Sequence, residues 1–177
     1  MKAVLMSIRA EICTTIFRRW TKRLEYRTRF NKDFKGVIYV YESGADGSHK
    51  VVGSFEAGHI VRDSANDGIS KDDEAFLDTL DKRTQAQYES IVAEKDVLYA
   101  IEIKNVKRFT RPFTLREFAE FFATQKVERA PQSWQYVDVK NEDLEPLFVA
   151  IKPEIVNDES ASLTENFMRG AYERKNN

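Results

Sequence analysis

The chain has 177 residues, 42% of them hydrophobic and 32% charged, with a formal net charge of −1. That is enough for one domain with a real core, or one domain with a decorated end, and the balance is that of a soluble globular protein rather than a disordered one. No apolar run approaches the roughly 18–20 residues that span a membrane; no apolar leader with a cleavage site opens the chain; and the single cysteine, Cys13, excludes an intramolecular disulfide framework and fits a reducing cytoplasm.

Residues 3–8 read as a buried strand. Residues 9–19 read as a helix, with Ala10, Cys13, Ile16, Phe17 and Trp20 at three- and four-residue spacing. Cys13 falls on its apolar side, which predicts a buried, inert thiol. From 23 to 29 the chain alternates strictly. On a strand Arg23, Glu25, Arg27 and Arg29 share one face, and Leu24, Tyr26 and Thr28 share the other. One carboxylate among guanidinium groups suits a polar ligand carrying both donors and acceptors. It equally describes a solvated face whose charges pair with each other.

Residues 35–42 form the next strand. The turn at 43–48 contains Asp46-Gly47, a pair that tolerates positive φ, and 49–61 return as a long strand bent at Gly53 or Gly58. Ser70 caps a helix entering 74–80, and a second helix, polar outside, covers 84–94. Residues 96–106 are the most strand-like segment. Thr114 and Glu117 have capping-box spacing for a helix over 114–123, and 133–139 read as a strand that closes a barrel. Residues 142–151 read as one more helix before Pro153, followed by a polar tail to Asn177 that carries a short helical pattern at 163–174 and is expected to be disordered. Short strands with a few helices and no regular βαβ alternation indicate α+β. The expected organisation is one domain over 1–140, with a helical insertion at about 63–95, and a C-terminal helix and tail over 141–177.

Residues 1–40 hold ten Lys/Arg against three Asp/Glu, so the rest of the chain is acidic. Such asymmetry fits a basic surface facing an anionic partner, or halves that neutralise each other across the fold. Within 70–81, Asp72, Asp73, Glu74, Asp78 and Asp81 offer a surface to a basic protein partner, although capping and turn chemistry account for much of this acidity. There is no Walker A loop and no G-x-G-x-x-G. His49, His59 and Cys13 make no recognisable zinc site; carboxylate-held Mg²⁺ stays open, and no cofactor is expected. His59 reads as a packed or surface histidine, and no Ser-His-Asp arrangement can be argued from order alone.

Lys22, Glu25 and Arg27 resemble the Lys, Glu and Arg of the motif G-x-K-x-x-E-x-R of ASCH domains, a branch of the PUA-like superfamily. Trp20 stands at the Gly position, where Gly would permit positive φ at the end of a helix. The turn before Lys22 is therefore expected to be built differently. The resemblance begins at Val4–Ile8, with Arg9-Ala10 where relatives often carry Lys-Pro. It continues through residues 51–56 and 98–103 to Ala130–Tyr136, and spans roughly residues 2–138.

It implies an α+β fold built on a small, mixed PUA-like β-barrel with flanking helices and a helical insertion. Beside the first helix and second strand it implies a groove for RNA, another single-stranded nucleic acid or a modified nucleoside. There Lys22 and Arg27, with Arg23 and Arg29 on the same face, would meet phosphate or carbonyl, and Glu25 would accept from an amine or ring N–H. Trp134, flanked by Gln132, Ser133 and Gln135, is a candidate stacking platform, a contact worth about 1–3 kcal/mol per base. Tyr39, Tyr41 and Tyr99 are further aromatic candidates, each with core packing as the other reading, and Tyr99 reads as core. One ASCH-like branch hydrolyses the amide of an acetylated cytidine with a Lys, a Thr and a Glu. Aligned on Lys22, its Thr falls on Glu25, so that nucleophile is missing here. Another member is described as a ribonuclease acting on single strands. The preferred reading is a cytoplasmic module that binds nucleic acid, RNA foremost, or a nucleotide, and acts as a regulator or RNA-processing accessory. The alternative is a hydrolase acting on RNA or modified nucleosides, with Lys22 and Glu25 as catalytic candidates, and the third is a protein-interaction domain.

Overall fold

The computed structural model describes residues 1–140 and the backbone of 148–151. Strand β1 (Lys2–Arg9) leads directly into helix α1 (Ala10–Phe17), and β2 (Leu24–Arg27), β3 (Val37–Ser43) and β4 (Val51–Ser64) follow. Helices α2 (Lys71–Asp78) and α3 (Lys82–Val92) stand between β4 and β5 (Val97–Phe113). Helix α4 (Leu115–Phe121), β6 (Trp134–Asp138) and β7 (Phe148–Ile151) complete the order.

The strands form one mixed sheet in the order β2-β5-β4-β3-β1-β6, with β7 also paired to β5. β1 and β3 run parallel, as their connection through α1 and β2 permits, and the remaining pairs are antiparallel. The register of the β4–β5 pair shifts between Val51 and Gly53, Ser54 and Glu56, and Ala57 and Ile60. Each shift bends and twists the pair, so these two long strands curl around the core. Gly53 and Gly58 sit at these bends because a Cβ on either would collide, with Lys107 O and the Phe17 ring at the first and with Glu102 Oε2 at the second.

Side chains alternate into separate apolar clusters. Val4 and Met6 of β1 join Ile16 and Phe17 of α1, Val40, Phe55 and Ile101. Leu5, between them in sequence, joins Tyr39, Phe109, Phe118, Phe122 and Val137 beneath α4. β1 is buried on both faces, as expected of an inner strand with parallel pairing. A third cluster of Leu24, Val61, Tyr88, Leu98 and Ala100 receives Phe76 and Leu77, and this seats the helical insertion on the sheet.

The expected barrel is present as a curled sheet, and among the described residues no backbone ladder joins β2 to β6. These strands have only four and five residues. Side chains bridge the two ends instead. Trp134 Nε1 donates to Arg29 O at 2.7 Å, Asn31 Nδ2 to Tyr136 Oη at 2.9 Å, and Arg27 Nη2 to Ser7 O at 2.9 Å.

Three local expectations change. β5 runs seven residues past Val106, because its outer part pairs with β4 as far as Phe113 and with β7 at Lys107–Phe109. The helix read over 142–151 is a strand over 148–151; residues 141–147 and the tail from 152 lie outside the described residues. In the β3–β4 turn the positive φ angles fall on Gly44 (96°) and His49 (54°) rather than on Asp46-Gly47. Gly47 is needed there for a close approach, since its Cβ would lie 2.6 Å from Ser43 O.

Candidate functional site

The site begins at the end of α1. Arg18 and Arg19 N–H both donate to Thr14 O, and Thr21 N–H reaches back to Thr15 O at 2.9 Å. Between them Trp20 adopts φ 57°, the left-handed conformation its size argued against. The steric cost is about 1–2 kcal/mol, offset by packing of the indole against the cluster under α1. The positive φ that a Gly would permit is thus adopted by Trp20, against the expectation of a differently built turn, and Lys22 follows beside β2.

β2 is held by β5, with Glu25 opposite Ile101 and Arg27 opposite Tyr99. Alternation puts Glu25 and Arg27 on one face. Arg27 Nη2 lies 3.0 Å from Glu25 Oε1, and Lys22 Nζ 3.6 Å from Glu25 Oε2. The side chains are only 5% (Glu25), 8% (Lys22) and 19% (Arg27) exposed. This is not a solvated face. It is a carboxylate with a cation at each oxygen in a mostly water-excluded place, where removing one partner costs far more than at a surface. Lys22 Nζ also lies 5.1 Å from the centre of the Tyr26 ring.

Two donors in this group are buried without a partner among the described residues, Arg27 Nε and Tyr26 Oη. Burial, and then the nearby Glu25 charge, push the Tyr26 phenol up, so it keeps its proton.

A cleft of about 420 Å³ opens on these residues. Lys22, Glu25 and Arg27 line it together with Ile12 of α1, Gln132 from the segment before β6, and Gln87 and Ile91 of α3. The helical insertion therefore builds one wall of the site. Gln87 and Ile91 are one turn apart on α3, which was the only sequence signal available for them.

The insertion is fixed by Asp73, which is 1% exposed. Its carboxylate accepts from Lys32 Nζ and Arg62 N–H and pairs with His59 Nε2 at 2.7 Å. Its own N–H donates to the capping Ser70 Oγ at 3.2 Å. Burial works to raise the Asp73 pKa, but the donors from Lys32 and His59 outweigh it and hold the carboxyl below its ordinary value. His59 is a packed histidine, stacked on Phe76 at 4.4 Å. Tyr88 Oη donates to Asp63 Oδ2 at 2.6 Å, and Asp81 caps α3 by accepting from Thr84 N–H at 2.9 Å. Two of the five acids in the run are thus consumed by structure, while Asp72, Glu74 and Asp78 stay exposed.

The structure brings Lys22, Glu25, Arg27 and Gln132 together and sets the other sequence candidates apart from the cleft lining. The charge of Arg23 acts on Asp81 of the insertion. Arg29 is exposed beyond the end of β2. Ser133 is exposed and its carbonyl accepts from Ser7 N–H at 2.9 Å. Trp134 spends its indole N–H on Arg29 O and packs on Phe30 and Tyr136 at 5.0 and 5.3 Å. Tyr39 and Tyr41 are buried, and Tyr99 packs half-buried against the core. Among the described residues no group of three or more His, Cys, Asp or Glu is placed to hold a metal ion.

Compared with solved structures, the chain is similar to ASCH from Zymomonas mobilis, with a TM-score of 0.51 and 18% identity over 76% of this chain and 86% of that one. A tyrosine-to-phenylalanine variant of that protein gives a TM-score of 0.52 and 17% identity over 77% and 90%. The fold is ASCH-like. No protein-family model matches the sequence, and no curated protein matches it. At this identity the likeness carries the fold alone. Within the ASCH-like frame the cleft lies between α1, β2 and the approach to β6, and α3 walls it from the insertion.

Proposed function

We propose that the chain is a nucleic-acid-binding module that takes single-stranded RNA through the Lys22–Glu25–Arg27 cleft, as a regulator or processing accessory. The observation that carries this reading is the assembly in one cleft of a buried carboxylate, two cations and the amides of Gln87 and Gln132. A base edge presents acceptors and N–H donors side by side, and this set answers both. Ile12 and Ile91 supply apolar surface for its faces. The basic N-terminal portion of the chain supports an anionic ligand.

The test is a titration of labelled single-stranded RNA with wild type and Lys22→Ala at two salt concentrations, the RNA then being run on a denaturing gel. Phosphate contacts release counterions, so binding weakens as salt rises. The expected result is salt-sensitive binding by wild type, weaker binding by the variant and intact RNA. Equal binding by the two proteins would overturn the reading.

Hydrolysis at the same cleft has one observation in its favour. Lys22 and Glu25 are buried side by side, a cation beside a group able to act as acid or base. RNA shortened by wild type and not by Glu25→Gln would move the function to it.

A further inference from the structure

A second cleft, of about 320 Å³, lies on the other side of α1. The two clefts share their dividing walls. Ile12 faces the first and Cys13, Thr14 and Arg18 the second; Ser43 lines the first and Glu42 the second. Successive residues on a strand point to opposite faces, and neighbours on a helix diverge by about 100°. The clefts are therefore adjacent compartments separated by α1 and the end of β3.

The second compartment is lined by Arg18, the residue that follows α1, and Arg108 of β5, together with Ser48 and Thr110. Neither guanidinium has an ion-pair or hydrogen-bond partner among the described residues. The carboxylate of Glu42 shares the lining, its Oε2 accepting from Ser48 N–H at 2.8 Å, so two guanidiniums against one carboxylate leave the charged lining net positive. Arg18, near the C-terminal end of α1, has the ordinary justification of a cation at a negative helix pole. Arg108 has none, since it is a half-buried guanidinium on an inner strand facing the same space. Cys13, Phe17 and Phe109 supply uncharged lining; Cys13 is buried, and desolvation, followed by the charges of Glu42, Glu25 and Glu11, keeps its thiol protonated. Two guanidiniums with no partner among the described residues, lining one space with the hydroxyl side chains of Ser48 and Thr110, match a tetrahedral oxyanion.

We infer that this second cleft holds a phosphate of the same nucleic-acid strand whose base occupies the Lys22–Glu25–Arg27 cleft, so that the strand crosses α1 between the two. The inference rests on the proposed function and adds a second point of attachment to it, with the backbone read at Arg18 and Arg108 and the base on the far side of the helix.

The experiment compares wild type, Arg18→Gln/Arg108→Gln and Lys22→Ala with three probes: a single-stranded oligoribonucleotide, a free nucleoside and inorganic phosphate. The arginine double variant is expected to bind the oligonucleotide several-fold more weakly. Its dependence of log affinity on log salt is expected to flatten by about 0.7 for each phosphate the protein no longer neutralises, with nucleoside binding unchanged. Restoring charge with Arg18→Lys/Arg108→Lys is expected to recover most of the slope. Unchanged oligonucleotide affinity and slope in the double variant, with Lys22→Ala impaired, would overturn this inference and leave the first cleft standing. Failure of wild type to bind the oligonucleotide would overturn both. Inorganic phosphate that binds wild type and not the double variant, without any oligonucleotide binding, would leave an anion site and overturn its link to a strand.

Discussion

Glu25 is the residue on which the cleft turns. Each of its oxygens faces a cation and its side chain is 5% exposed, so its charge is required by its neighbours as much as they are required by it. Glu25→Ala leaves Lys22 and Arg27 facing one another with little water. The expected loss is about 3–5 kcal/mol, read as a lower urea midpoint with unchanged slope. A midpoint within experimental scatter of wild type would mean that the pair is solvated. Trp20 shows the complementary case of a residue tolerated against its local preference. Its φ of 57° is uphill for any residue with a Cβ, and the indole's packing on the core is what holds it there. A sequence reading weighs the backbone rule alone, because the compensating packing comes from residues distant in sequence.

Among the elements, the insertion α2–α3 contributes most that sequence did not disclose. Its caps were legible: Ser70 accepts from Asp73 N–H as its position predicts, and the Thr114–Glu117 box of α4 forms in both directions. The alternation that places Glu25 with Arg27 was legible too. What α3 covers was not, because Gln87 and Ile91 meet Lys22 only through the packing of the insertion on the sheet. Asp73 was hidden for a related reason: in an acidic run the one buried carboxylate looks like its exposed neighbours. The far half of β5 was missed because Lys104, Lys107, Arg108 and Arg111 interrupt its apolar pattern.

The Asp73 clasp has a pH signature. Its folded pKa lies below the unfolded value of about 3.9, so its stabilisation is fully present above that value and is lost as pH falls through the folded one. Urea unfolding from pH 6 down to 3 should therefore cost wild type more stability than Asp73→Asn, which starts less stable. Parallel curves for the two proteins would exclude the clasp as the source.

At the scale of the whole molecule, the sheet of the described residues ends at β2 and β6 and carries β7 as an additional strand on β5. β7 covers β5 at Lys107–Phe109. A chain ending at Lys140 would expose this stretch of backbone, and unpaired edges recruit other strands. Such a truncation is expected to self-associate with rising concentration in size-exclusion chromatography, where the full chain does not. A truncated form that elutes at one position across concentrations would show that the edge is blunted some other way.

The side-chain bridging between β2 and the β1–β6 end has a consequence for the order in which the protein is made. β1 can pair with β3 soon after both have been synthesised, but its other edge waits for Trp134–Asp138. Pairings so distant in sequence close late. Gln132, the carbonyl of Pro131 that receives Ser7 Oγ and the indole that reaches Arg29 all arrive with that last segment. The cleft is thus finished only when most of the chain has emerged, and a nascent chain that has folded its first four strands still has no complete place for a ligand.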